Sequence, residues 1–154
     1  RPLFRGGGQE FNLRAGTLNV PAIVGLGFAA EWARQNAEAE FSRLLSLRNL
    51  FFELIEKEKL GIRINGERTY RLPHNINLTL PTGTPETISF ALHDIACSSG
   101  SACSAASGEA SHVLSAIGLS PAQSLATLRL GLGLSTTEEM VRYAVEKIIK
   151  FVKK

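Results

Sequence analysis

The chemistry in this sequence gathers on a thiol. Cys103 sits inside the run Ser98-Ser99-Gly100-Ser101-Ala102-Cys103-Ser104, and small residues continue to Gly108. Nothing in the run has the apolar period that would anchor it, so it is expected to be mobile. A structural cysteine normally packs among apolar groups, whereas a thiol in such a run is reachable. An extended chain spans about 3.3 Å per residue, so half of this run can carry a sulfur by about 10 Å or more. That suits a group that accepts an atom in one place and delivers it in another. Three other readings stand beside it: an incidental cysteine in a Ser/Ala loop; a zinc site of His93, Cys97, Cys103 and His112, whose spacings match no common zinc pattern; and a Cys97–Cys103 redox pair, whose spacing is not Cys-x-x-Cys. Taken alone, Arg129 reads as a sheet-edge charge and Thr17 as a turn residue before a helix.

The elements that must position these residues follow from period and punctuation. Residues 5–10 hold three consecutive glycines, which marks a turn or a close approach. Pro21 opens a long helical pattern through Ile23, Leu26, Phe41, Leu44, Leu45, Phe51, Phe52 and Ile55, in one or two helices stopping near Lys59 with Gly61 beyond. The period then changes to two. Ile62 and Ile64, and then Ile76, Leu78 and Leu80, alternate with polar residues as half-buried strands do. A turn at 81–85 precedes a short helix bracketed by Thr84 and Thr87 and running to Leu92. A short buried strand at 95–97 leads into the thiol run. Residues 111–117 form a short helix, 125–130 a strand, and 135–138 a capping box for the last helix, whose Val141, Ala144, Val145, Ile148, Ile149 and Val152 share one face. The sum is α/β or α+β, with helices packed on a small sheet behind one long helix.

Composition agrees with a globular chain: 154 residues, 44% hydrophobic and 20% charged, enough to bury a core without a disulfide or metal staple. Two cysteines argue against a disulfide-built secreted scaffold and favour a reducing compartment, the cytoplasm or an organelle stroma or matrix. No signal peptide is visible, and no apolar run approaches the roughly 20 residues that span a bilayer. The net charge of +3 is scattered apart from residues 147–154, where a helix C-terminus favours cations, so neither nucleic acid nor a membrane is expected as partner. Arg1 stands first in place of Met, and a preceding segment is therefore expected.

Ser98-Ser99-Gly100-Ser101-Ala102-Cys103, followed by Ser111-His112-Val113-Leu114 and Ile117-Gly118, resembles the active-site loop and next helix of the class I cysteine desulfurases, pyridoxal-phosphate enzymes of the aminotransferase class V family. Gly6-Gly7-Gly8-Gln9-Glu10 with Leu13-Arg14-Ala15-Gly16-Thr17 is similar to a second segment of that family. Leu128-Arg129-Leu130-Gly131 with Thr136-Thr137-Glu138-Glu139 is similar to a third. The resemblance implies the C-terminal small domain of a fold-type I pyridoxal-phosphate transferase. Residues 1–20 would be the tail of the large cofactor domain and dimer interface, 21–60 the connecting helix, and 61–154 the small domain with its loop at 98–108. Cys103 would be the nucleophile that takes sulfur from L-cysteine as a persulfide, leaving L-alanine. Arg129 would bind the substrate carboxylate, for which a planar guanidinium fork is matched, and Thr17 would bind the cofactor phosphate in the active site of a homodimer partner.

The resemblance also implies what such an enzyme needs from elsewhere. Its Schiff-base lysine lies upstream of the Gly-Gly-Gly segment, whereas Lys57, Lys59, Lys147, Lys150, Lys153 and Lys154 sit in solvated helix-end patterns. The chain by itself is therefore expected neither to bind pyridoxal phosphate nor to turn over cysteine, but to require an N-terminal cofactor domain. A sulfur acceptor or iron–sulfur scaffold protein would take the persulfide onward. A non-catalytic persulfide-accepting or interaction module is the alternative function, and a Cys/His metal or redox domain a further one.

Overall fold

Alternation of Ile76, Leu78 and Leu80 with Asn75, Asn77 and Thr79 gives one strand two unlike faces, and the sheet forms around that strand. The computed structural model describes residues 1–99 and 111–154. Strand β1 is Arg63–Ile64, β2 Asn75–Thr79, β3 Cys97–Ser99 and β4 Thr127–Gly131. They form one sheet in the order β1-β2-β4-β3, with every neighbour antiparallel. Ile76, Leu78, Leu128 and Leu130 line one face and are essentially inaccessible.

Helices close that face. The helices are α1 Val20–Lys57, α2 Pro85–Ala91, α3 His112–Ala116, α4 Pro121–Leu125 and α5 Glu138–Val152. Phe51, Phe52 and Ile55 from α1, Ile88 from α2, and Val141, Val145 and Ile148 from α5 join the buried leucines and isoleucines in one core. The expected arrangement of helices on a small sheet is thus an α+β layer pair with an antiparallel sheet.

Local chemistry sets the ends. Thr84 caps α2, its hydroxyl accepting from Thr87 N–H while the Thr87 hydroxyl accepts from Thr84 N–H, with Pro85 at the first helical position. Ser111 caps α3. The last helix is capped by Thr137, which accepts from Met140 N–H, and not by a box beginning at Ser135; Thr136 accepts from Gly133 N–H in the preceding turn. Helix α4 was hidden from the sequence because five residues are too few to show a period; Ser120 and Gln123 form its capping box. Gly61, just beyond α1, adopts φ +75°, the left-handed conformation expected of a helix stop. At Gly83, φ is +104° and an added Cβ would stand 2.7 Å from the Phe151 ring, so only glycine lets the chain pass there.

Two compact units divide inside α1, Arg1–Glu38 and Ala39–Lys154. In the second, Arg43 donates to the carbonyls of Thr136 (2.7 Å) and Gly133 (2.9 Å) while its Nε donates to Glu40, which ties α1 to the turn before α5. In the first, Asn19 Oδ1 accepts from Ala22 N–H at the start of α1. Val20, Ile23, Val24, Leu26 and Phe28 are all more than half exposed, a helix apolar on every side without a covering layer among the described residues.

Core packing sets the first expectation. Phe51→Ala should lower the unfolding free energy by about 3–5 kcal/mol, read by denaturant titration. Phe90→Ala, at a ring 84% exposed, should change it by less than about 0.5 kcal/mol.

Candidate functional site

Because Leu128 and Leu130 must face the core, Arg129 between them must face away. Strand register places it in one row with Asn77 on β2 and Ser98 on β3, all three on the polar face. Among the described residues the Arg129 guanidinium has no hydrogen-bond or ion-pair partner, and it opens on a cavity of about 420 Å³ bordered by Asn65, Arg71, Asn75, Asn77, Ser111 and His112.

The cavity wall is held from beneath. Asn65, only 2% exposed, donates from Nδ2 to Asn77 Oδ1 at 2.7 Å and to Thr79 Oγ1 at 2.9 Å, and Thr79 returns its hydroxyl proton to Asn65 Oδ1 at 3.1 Å. With its oxygen engaged, Asn77 presents amide hydrogens beside Arg129. Arg71 is spent on structure: its two terminal nitrogens donate to the carbonyls of Asn65 (3.0 Å) and Asn75 (3.1 Å), and burial pushes its guanidinium below the ordinary value. Glu67, the acid of this wall, accepts from Thr69 and Arg68 backbone N–H groups, which hold its carboxyl below the ordinary value. What remains uncommitted is a cationic fork next to an amide donor, the chemistry that takes a carboxylate. Asn77 escaped the sequence reading because strand alternation already explained it as a polar residue opposite the apolar face; only register shows that it stands beside Arg129.

The strand that leads into the thiol run brings Ser98 to the same face. Strand β3 ends at Ser99, one residue past the Ser98–Arg129 pair, and α3 begins after Ser111 on the cavity border. Cys103 itself lies outside the described residues. Cys97 pairs with Leu130 and so belongs to the core face, where burial pushes its thiol up, away from nucleophilic character. Cys97 and His112 thus lie on opposite sides of the sheet, and among the described residues no three His, Cys, Asp or Glu side chains gather as a metal site. Thr17 belongs to the first unit, exposed beside Gly16, its carbonyl accepting from Arg14 Nη1 at 3.3 Å.

Pyridoxal phosphate held as a Schiff base needs an amine in its cavity. Lys147 is paired with Asp94 and Lys153 with Glu58, and no lysine borders the Arg129 cavity. The residues lining this cavity therefore do not fit covalent attachment of that cofactor, although a free guanidinium beside an amide fits a carboxylate. Mixing the chain with pyridoxal phosphate should give no aldimine absorbance band; a stoichiometric band would overturn this.

On the core side, Asp94 accepts from Tyr143 Oη and pairs with Lys147 Nζ at 2.8 Å at the mouth of an apolar cavity of about 570 Å³. The Lys147 ammonium, then the Tyr143 hydroxyl, hold its carboxyl down to about 2. A depressed carboxylate contributes stability above its unfolded value and loses it as pH falls through the folded one. The stability advantage of the native chain over Asp94→Asn should accordingly be full above about pH 5 and mostly, though not wholly, lost by about pH 2, with the Asp94 carbon resonance titrating at about 2 by NMR.

Comparison with known proteins identifies the family. Residues 6–143 match the aminotransferase class-V family model. The cysteine desulfurase IscS of Anaeromyxobacter sp. (strain K) is 44% identical over 97% of this chain, and the cysteine desulfurase of Homo sapiens 42% identical over the same share. A solved NifS-like protein superposes with a TM-score of 0.82 at 29% identity, over 99% of this chain and 39% of its own. The chain spans 37% of the Anaeromyxobacter relative's length and 33% of the human one's. Family model, curated relatives and fold converge: the chain belongs to the aminotransferase class-V family.

Proposed function

We propose that this chain is the C-terminal part of a cysteine desulfurase, the part that holds the substrate carboxylate and accepts its sulfur. The observation that carries the reading is Arg129, uncommitted among the described residues on the polar sheet face, between Asn77 and the strand that runs into the Cys103 segment. The identity of about 42–44% to cysteine desulfurases supports it. In the reaction, a bond forms between Cys103 Sγ and the sulfur of L-cysteine as the substrate's carbon–sulfur bond breaks; the carbon takes a proton and departs as L-alanine, leaving a persulfide on Cys103. The electron pair left on carbon needs a sink, which pyridoxal phosphate anchored in the remainder of the enzyme supplies and which the residues here do not hold. Cys103 is four positions along the chain from Ser99, a tether of about 13 Å at full extension. Thr17 is assigned to the cofactor phosphate of the homodimer partner, and the persulfide to a sulfur acceptor or scaffold protein, with iron–sulfur cluster assembly as the destination, in the cytoplasm or an organelle stroma or matrix.

The test uses the full-length protein supplied with L-cysteine. Cys103→Ser should abolish both alanine release and the persulfide that mass spectrometry finds on the native chain. Arg129→Ala should raise KM for L-cysteine by about tenfold to a hundredfold, the worth of a charge-assisted carboxylate contact. Alanine release at the native rate from Cys103→Ser would refute the assignment.

A further inference from the structure

Between α2 and α5 lies a groove that the sulfur chemistry does not use. It holds about 670 Å³; Phe90, Ala91 and His93 form one wall, and Lys147, Lys150, Phe151 and Lys154 the other. Lys147, Lys150 and Phe151 of α5, with Lys154 just past its end, follow the i, i+3, i+4, i+7 spacing of a single helical stripe. Phe90 is 84% exposed, so a phenyl ring faces this concavity with nothing covering it among the described residues. Lys147 is engaged by Asp94, but among the described residues no carboxylate lies within ion-pair distance of Lys150 or Lys154, although Lys153 on the next face of the helix is paired with Glu58. A helix C-terminus attracts cations, which accounts for lysines at this end but not for an open aromatic floor between them.

We propose that this groove docks an acidic segment of a partner protein, one apolar side chain of which settles against Phe90 and Phe151 while flanking carboxylates pair with Lys150 and Lys154. Charge complementarity selects the occupant: the free cations are on the rim and the apolar surface is in the floor, the arrangement of a protein interface with a desolvated centre. Concavity disfavours a lipid surface, which takes protruding apolar residues; Glu86 also lines the groove, and it steers the acidic groups of the occupant to the Lys150 and Lys154 side.

Fluorescence anisotropy of the full chain with a labelled synthetic peptide alternating Glu and Leu tests this. Binding should weaken as salt rises from roughly 50 to roughly 300 mM, and should be lost when Ser replaces Leu or Lys replaces Glu in the peptide. Lys150→Glu and Phe90→Ser should each weaken it about tenfold or more, and Lys57→Glu, outside the groove, should not. Both groove positions are exposed, and matching thermal unfolding midpoints confirm that the variants fold. No peptide binding, equal binding by all variants, or preferential binding to phosphatidylserine vesicles would overturn the proposal.

Discussion

A strand has two faces, and its side chains alternate between them without exception. Everything that matters in the second unit depends on that constraint holding across β2, β4 and β3 at once. Ile76, Leu78, Leu128 and Leu130 are large enough and apolar enough that only one register buries all four, and a slip of one residue would expose them. The register that buries them puts Asn77, Arg129 and Ser98 in a row on the opposite face. The cavity beside Arg129 is therefore specified by the core beneath it, and its guanidinium needs no partner to be aimed.

Beneath the row, a buried amide makes the same choice in polar terms. Asn65 satisfies both ends of its side chain on Asn77 and Thr79, two residues of one strand, so β1 and β2 are fixed against each other by hydrogen bonds as well as by packing. Two arginines illustrate the alternatives open to a guanidinium near such a site. Arg71 spends its donors on backbone carbonyls and lies over the Phe52 ring at 5.5 Å, becoming part of the frame, whereas Arg129 spends none among the described residues and is left for a ligand.

Periodicity made much of this fold legible. The alternation at 76–80, the helical stripe at 141–152 and the Thr84 cap all formed as the residues dictate. Less could be read where elements are short: β3 falls at Cys97–Ser99 instead of 95–97, and α4 intervenes before β4, because a handful of residues cannot display a period. The site was legible only in part. Arg129 and Thr17 gained meaning from a family resemblance, and Asn77 from strand pairing, which is a long-range property no local pattern carries. Cys97 stands where a short buried strand is expected, and its pairing with Leu130 turns it toward the core.

Gly83 contributes no side-chain atom to any surface, yet the placement of the Phe151 ring depends on it, since a Cβ there would collide with that ring and with Ile88. In terms of inheritance, the shape of the α2–α5 groove is recorded at a position outside it. Lineages could vary the lysines of the rim and so change what the groove prefers, while the glycine that lets its aromatic floor lie flat would admit no substitute.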